Sequence, residues 1–303
     1  MLLLTLLSAA LATGISSESV PCPLGEGTVK RFHKVSSNTL GGYDSDLAAY
    51  STRGQFRTHA VSTCPDNFFS ALGHRLDMPL LERDHAPIKT AIEAARSEWI
   101  DRENPTVWER YDTAARIALA LNQAPVEVAN LYLNAAWTAR DAAVGIYVGG
   151  LSGPEAAKDI LRLGKAELEK KLTPEALKMI HYNMARVAHR GGFVTARKDH
   201  IKAFLALSAP TAEERAAGER LMHLSQDIET RYQERAVSLL KATINGPGDT
   251  TRLVRAEYQL ADTLRRLNRF PEARGHFEAV RDNAEAPDEL RELSRFLLSE
   301  IGQ

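Results

Sequence analysis

The chain has 303 residues, which is enough for one extended domain or two compact ones with a sizeable core. Hydrophobic residues make up 44% and charged residues 25%, a composition that excludes wholesale disorder. Lys and Arg number 38 against 39 Asp and Glu, so the net charge of −1 gives no electrostatic reason to expect nucleic acid or an anionic membrane as a partner.

Residues 1–18 have the pattern of a secretory signal peptide. An apolar run from Leu2 to Ala12 ends in Ala10-Leu11-Ala12, which fits the small-x-small rule for signal peptidase. The run is shorter than the roughly 20 apolar residues that cross a bilayer. No Lys or Arg precedes it, so a start further upstream, a weak signal and a buried N-terminal helix remain open. We expect cleavage near Ala12 and an exported protein, periplasmic or extracellular, without a stable membrane span.

Residues 19–80 form a head that differs in composition from the rest of the chain. Cys22 and Cys64 are the only cysteines, and each precedes a proline. The runs Thr28–Val35 and Gln55–Ser62 carry β-branched and aromatic residues in rough alternation, which predicts two strands. The order Cys-Pro corner, strand, loop, strand, Cys-Pro corner is that of a zinc ribbon.

The head resembles bacterial proteins of the domain-of-unknown-function family numbered 2225. Members begin with a CPxCG knuckle and a basic strand, continue through a loop to a second knuckle, and end in helical repeats. The matching stretches of this chain are "CPLGE" at 22–26, "YDSDL" at 43–47 and "CPDNFFSA" at 64–71. The resemblance implies a zinc-ribbon-like head on a helical-repeat body, and it implies no established activity.

Each knuckle of this chain lacks its second cysteine, so only two of the four thiolates implied by the family pattern are present. The resemblance implies that Cys22 and Cys64 lie close together, and an oxidising compartment then favours a disulfide between them. A retained metal would need His33 and His59 as further ligands, although histidines in strand runs are usually exposed. We expect a degenerate ribbon closed by a disulfide and no cofactor; a retained metal and free thiols remain open.

Asp44 and Asp46 lie in the loop between the predicted strands. Paired carboxylates are typical of hydrolytic sites, and together with His33 and His59 they define an alternative in which the head is a metal-dependent or hydrolytic enzyme. Asp-Ser-Asp in a loop is more often an Asx-turn or a helix cap, here of a turn beginning at Leu47. The sequence contains no Gly-rich phosphate loop, Gly-x-Ser-x-Gly elbow or His-Glu-x-x-His motif.

Residues 81–303 are predicted to form successive helices with short breaks. Thr173-Pro174 combines a capping residue with a proline at the first helical position. The segment 211–244 contains no internal stop and is predicted to remain helical throughout. The last three predicted helices cover approximately 249–267, 270–283 and 287–301. Four histidines without metal-ligand spacing are expected in solvated positions or cap contacts, namely His181, His189, His200 and His223.

Residues Val254–Val280 are similar to a tetratricopeptide unit, and fainter units lie at 176–207 and 131–137. Small alanines allow two helices to approach, larger apolar residues fill the contact, and an asparagine supports a left-handed turn between them. The predicted packing positions are Leu260, Ala261, Leu264, Asn268, Phe270, Ala273 and Phe277. We therefore expect a mainly α fold, a tetratricopeptide-like solenoid of helical pairs with a small N-terminal β head.

This architecture favours an exported, non-enzymatic interaction or scaffold protein. Helical-pair solenoids present surfaces on which a partner protein or peptide binds, although function inferred from architecture is an association only. The alternatives are the enzyme centred on the head and a structural envelope protein.

Overall fold

The computed structural model describes residues 14–52, 54–144, 151–207 and 211–301. These residues form a mainly helical protein with two small antiparallel sheets near the N-terminus. No helix in these ranges has the length and apolar character needed to cross a membrane. The predicted cleavage position near Ala12 lies outside the described residues.

The first sheet is a hairpin of β1, Gly14–Pro21, and β2, Thr28–Ser36, with Val20 opposite Val29. Strand β2 agrees with the predicted run Thr28–Val35. The sequence analysis did not predict β1 and placed residues 14–18 in the leader. Strand β1 is serine-rich and mostly exposed, so its pairing depends on backbone hydrogen bonds to β2 and leaves little hydrophobic signal in the sequence.

The second sheet pairs β3, Val61–Thr63, with β4, Ser70–Leu72. The predicted strand Gln55–Ser62 is wrong over its first half, where Phe56–Thr58 forms a 3₁₀ turn. The Arg57 side chain of this turn bonds to Asp141 of the helical body at 2.6 and 2.8 Å. A contact with a distant helix therefore overrides the local strand preference.

The predicted disulfide between Cys22 and Cys64 is present, with a Cα–Cα distance of 5.9 Å. Both cysteines are buried, at 5% and 0% exposure, in a small core that also contains Val20, Val29 and Phe69. Closing a loop of this length restricts the unfolded chain and contributes about 4 kcal/mol in the chain-entropy account. The bond ties together the two Cys-Pro corners of the head.

Helices follow one another from residue 82 onward. In chain order they are α1 Glu82–Arg96, α2 Val107–Ala120, α3 Pro125–Val144, α4 Gly153–Leu168, α5 Pro174–Gly191, α6 Val194–Ala206, α7 Ala212–His223, α8 Glu229–Ile244, α9 Thr250–Arg266, α10 Phe270–Asp282 and α11 Asp288–Glu300. A π-helical turn, Leu224–Ile228, joins α7 to α8, so the predicted continuous helical segment 211–244 is confirmed. At Thr173 the hydroxyl accepts a hydrogen bond from the Ala176 N–H, as expected of a cap.

Most helices that follow one another in the chain pack side by side, and α3 also packs extensively along α8. In the contact between α9 and α10 the packing residues Leu260, Ala261, Leu264, Ala273 and Phe277 are all 0% exposed. The turn between these two helices contains Asn268 with φ of 60°, whereas Phe270, the first residue of α10, is 39% exposed. The central core lies among α2, α3, α8, α9 and α10.

Candidate functional site

Residues 43–50, here called the inner segment, run from the head into the middle of the helical body. The segment folds back on itself through a bridge between Tyr43 and Ala49 and a hydrogen bond from the Asp44 N–H to the Ala48 carbonyl at 2.9 Å. Ala48 and Tyr50 are 0% exposed. The segment thus occupies an interior position, and its two aspartates point into the protein.

Asp44 bonds to arginines of two different helices. Its Oδ2 accepts from Arg140 Nη1 of α3 at 2.8 Å, and its Oδ1 accepts from Arg190 Nε of α5 at 2.8 Å. The Tyr50 hydroxyl donates to the same carboxylate at 2.9 Å, and the Arg190 guanidinium lies 3.6 Å from the Tyr50 ring centroid. Charge-assisted hydrogen bonds of this kind are among the strongest in proteins.

Asp46 is held in the same way. Its Oδ2 accepts from Arg140 Nη2 at 2.5 Å and from Trp137 Nε1 at 2.9 Å, and Arg266 Nε of α9 lies 3.5 Å away. Burial by itself would raise the pKa of Asp46, but the charges of Arg140 and Arg266 outweigh burial and hold the pKa well below its usual range. The Asp46 Oδ1 also accepts from the Ala48 N–H at 3.4 Å, which is the predicted turn contact.

Ser45 connects the inner segment to α9. Its hydroxyl donates to Asp262 Oδ2 at 3.0 Å and accepts from Arg265 Nη2 at 2.8 Å and Arg266 Nη2 at 2.7 Å. Its carbonyl accepts from the Tyr258 hydroxyl at 2.6 Å. Each polar atom of this buried side chain therefore has a partner, as a buried polar network requires.

Four arginines and four carboxylates make up this arginine cluster, and each side chain is at most 4% exposed. Its members are Asp44, Asp46, Arg140, Arg190, Glu229, Asp262, Arg265 and Arg266. The formal charges cancel, because four positive groups face four negative groups. Removal of one member of such a buried, balanced cluster leaves an uncompensated charge and is strongly destabilising.

His189 of α5 extends the cluster and corrects a prediction. It was expected in a solvated or capping position, but it is 2% exposed and its Nε2 lies 3.0 Å from Glu229 Oε2. Arg197 Nη1 lies 3.1 Å from His189 Nδ1 and can only donate, so the ring proton must be on Nε2, facing Glu229. Burial lowers the pKa of His189 to about 4, although Glu229 opposes the shift.

We expect stability to fall as the pH is lowered from about 6.5 to about 4, because the unfolded chain protonates His189 before the folded protein does. Because one proton is involved, the unfolding free energy should change by up to about 1.4 kcal/mol per pH unit between these two pH values. The measurement is urea unfolding at several pH values, and His189→Gln is expected to remove this part of the slope. The matched control is His223→Gln, since His223 is exposed beside Asp227. If His189→Gln and His223→Gln both keep the wild-type dependence of stability on pH, the prediction for His189 is wrong.

The four residues of the enzymatic alternative lie in different surroundings. Asp44 and Asp46 are both bonded to Arg140 and are 3% exposed, so neither carboxylate is open to solvent. His33 Nε2 lies 2.9 Å from Glu18 Oε1 on the exposed hairpin, and the His59 ring packs against Phe32. Within the described ranges, no group of three or more His, Cys, Asp and Glu side chains could hold a metal ion.

A separate apolar pocket of about 250 Å³ lies where the head meets the helical body. Its apolar wall includes Leu72, the last residue of β4, and Met78 and Leu80 from the segment that follows. The wall also includes Ile117 of α2 and Leu121, which directly follows α2. The walls come from parts of the chain that are distant in sequence. The sequence analysis did not predict this pocket.

Polar groups of the pocket lining include His74, Arg75, Gln123, Glu127 and Asn130. Arg75 Nη2 donates to Glu127 Oε2 at 2.9 Å, and Arg75 Nη1 lies 3.0 Å from Met78 Sδ. Both charged side chains of this pair are partly exposed, at 31% and 44%, so the charge lies toward solvent. The pocket therefore combines an apolar interior with a charged edge.

The arginine cluster and the apolar pocket differ in what they can do. The cluster holds the inner segment in place, whereas the pocket leaves space for a ligand. No protein-family model, curated protein or solved structure matches the chain, so the resemblance to the family numbered 2225 stays a prediction.

Proposed function

We propose that this chain is an exported, non-enzymatic binding protein that holds an apolar side chain of a partner protein or peptide in the pocket between head and body. The pocket of about 250 Å³ carries this proposal. The disulfide between Cys22 and Cys64 supports export, since such bonds persist in oxidising compartments outside the cytosol.

The size and chemistry of the pocket favour a side chain over a cofactor. Small-molecule sites usually enclose about 300–1,000 Å³ and contain precisely placed polar groups that orient the ligand. Here the volume is about 250 Å³, and the pair of Arg75 and Glu127 lies toward solvent. Protein interfaces are commonly anchored by one or two large apolar side chains in such a depression, with polar contacts around them.

The proposed site lies where the head meets the helical body, and not on the surface of the helical repeats alone. The inner segment fills the space between α3, α5 and α9, so a partner cannot bind there without displacing it. The pairing of α9 with α10, including the buried Ala261 and Ala273, supports a tetratricopeptide-like arrangement of the body. That arrangement remains part of the proposal, as does a periplasmic or extracellular location.

The walls of the pocket are held in place before a ligand arrives. Phe69, Ala71 and Ile117 of the lining belong to the same small core as the disulfide. Arg75 also bonds to Glu127 of α3, which ties the head to the body at the pocket edge. A preorganised site loses less conformational entropy on binding, and therefore gains affinity.

Selection of peptides from a random display library on the mature, oxidised chain tests the proposal. We expect selected peptides to share one or two large aliphatic or aromatic residues. Leu121→Gln, which makes one wall of the pocket polar, is expected to weaken their binding about tenfold or more, as measured by calorimetry. The matched control is Leu119→Gln, because Leu119 is 44% exposed near the end of α2 and does not line the pocket.

Two outcomes would contradict the proposal. Peptides that bind wild type and Leu121→Gln equally, while both proteins unfold at the same urea concentration, would place the binding surface elsewhere. A failure to select any peptide, combined with hydrolytic turnover by the mature chain, would favour the enzymatic alternative.

A further inference from the structure

His181 of α5 and His200 of α6 approach each other closely, although they are 19 residues apart. Their Nδ1 atoms are separated by 2.9 Å, and the rings are tilted by 43° with centroids 5.2 Å apart. The two helices pack side by side after the sharp turn at Gly192, where φ is 71°. Both histidines were expected in solvated positions or cap contacts, and the packing of α5 against α6 brings them together instead.

The separation of the two nitrogens is that of neighbouring ligands on one metal ion. Two imidazole nitrogens about 2.0–2.1 Å from a metal lie about 2.9 Å apart at a right angle and about 3.3 Å apart at a tetrahedral angle. The observed 2.9 Å is the length of the hydrogen bond between the two rings, and it equals the separation that right-angled coordination requires, so an ion could take both nitrogens without a shift of the helices. Right-angled nitrogen coordination is characteristic of Cu²⁺ and Ni²⁺, and Cu²⁺ binds such ligands more tightly than Zn²⁺ does.

The charges around the two rings are compatible with a bound cation. Burial lowers the pKa of His181 and of His200, which favours the neutral imidazole over the imidazolium. Asp199 adds a negative charge beside His200. The nearby positive charge of Lys178 is paired with Glu214 of α7 at 3.1 Å.

We propose that His181 and His200 form a two-histidine site for Cu²⁺, with water in the remaining coordination positions. Both side chains are only partly buried, which leaves room for those waters. A structural zinc site, which needs four protein ligands, does not fit, because no group of three or more candidate ligands occurs among the described residues. Without metal, one ring donates an N–H···N hydrogen bond to the other. When the ion binds, the donating ring releases its Nδ1 proton to solvent and takes one up on Nε2, so both Nδ1 atoms are free to coordinate.

Titration of the mature chain with CuCl₂, followed by electron paramagnetic resonance, tests this site. We expect one tight site per chain with hyperfine splitting from two nitrogens. His181→Ala or His200→Ala should weaken that site about a hundredfold or more, because the second ligand of a chelate acts at a high effective concentration. The matched control is His223→Ala, since His223 is an exposed histidine paired with Asp227 at 2.8 Å, and it should leave the tight site unchanged.

The variant His200→Gln distinguishes a loss of metal binding from a loss of helix packing. Gln still offers a hydrogen-bond partner to His181 and removes a ligand, so the thermal midpoint without metal should stay near that of wild type while the tight copper site is lost. Wild type should also gain thermal stability on addition of CuCl₂, and the variant should not. Equal copper affinity in wild type, His181→Ala and His200→Gln would overturn the proposal, as would a spectrum that shows a single nitrogen ligand in the wild-type protein.

Discussion

The Asp46→Asn variant is expected to lose about 3–5 kcal/mol of unfolding free energy, because it removes one partner from a buried ion cluster and leaves a positive charge uncompensated. Asp46 is 3% exposed and bonds to Arg140 Nη2 at 2.5 Å. Four arginines face four carboxylates in the wild-type cluster, so the substitution leaves one arginine in excess. Urea unfolding of the oxidised protein at pH 7, followed by circular dichroism, measures the loss.

An exposed ion pair provides the matched control for this prediction. Asp159 lies 3.6 Å from Arg162 on α4, with both side chains more than 70% exposed. Asp159→Asn should therefore change stability by less than about 0.5 kcal/mol. The double variant Asp46→Asn, Arg140→Met should lose less than the sum of the single variants, because the two side chains interact. A strictly additive result would mean that Asp46 and Arg140 do not stabilise each other.

The Gly42→Ala variant is expected to lose about 2–5 kcal/mol, because the new Cβ adds a backbone penalty to a steric collision. Gly42 has φ of +81°, in the left-handed region that disfavours side chains. A Cβ at this position would collide with the carbonyl oxygen of Leu151 and lie 2.8 Å from Ser152 Cα. The turn at 151–153 is itself bonded to the inner segment, through the Gly153 N–H and the Tyr43 carbonyl at 2.7 Å.

The variant Gly54→Ala measures the energetic cost of a positive φ without a steric collision. Gly54 also has a positive φ of +67°, but a Cβ there meets no atom of the described residues within 4 Å. Its loss should therefore be only about 1–2 kcal/mol, again measured by urea unfolding. If Gly42→Ala proves no more destabilising than Gly54→Ala, the inner segment does not approach the 151–153 turn as closely as described.

The contacts disturbed by Asp46→Asn and Gly42→Ala both hold the head against the helical body. The inner segment belongs to the head in sequence, yet its contacts are with α3, α5 and α9 of the body. Because the buried arginines of the body need the carboxylates of Asp44 and Asp46, the body is expected to lose stability when the head is removed. We therefore expect head and body to unfold as one cooperative unit in spite of their different composition.

The helical body could be predicted because its signals are local. Capping residues, prolines at first helical positions and the helical spacing of apolar residues act within a few positions of each other. The segment from Thr211 to Ile244 is helical as predicted, and the last three helices agree with their predicted ranges. The disulfide was also predicted, but from a resemblance to a family that the comparisons leave untested.

The arginine cluster could not be predicted, although the sequence contains one indication that some arginines are buried. Arg140 and Arg190 are charged residues within apolar stretches of α3 and α5, which is the pattern of a buried, paired side chain. The sequence does not indicate the partners, because Asp44 is about a hundred residues from Arg140 and further from Arg190. The strand predicted over Gln55–Ser62 is wrong over its first half for the same reason, since the contact of Arg57 with the body accompanies a 3₁₀ turn there.

Local sequence was sufficient to predict the helical segment 211–244 and the ranges of the last three helices, because such boundaries depend on backbone hydrogen bonds and side-chain caps within one or two turns. The functional candidates depend on tertiary contacts instead: the pocket between head and body, the contact between His181 and His200, and the arginines that hold Asp44 and Asp46. Each of these arises where segments distant in the chain pack together, and the free energy of burying charge or apolar surface there depends on all the surrounding groups at once.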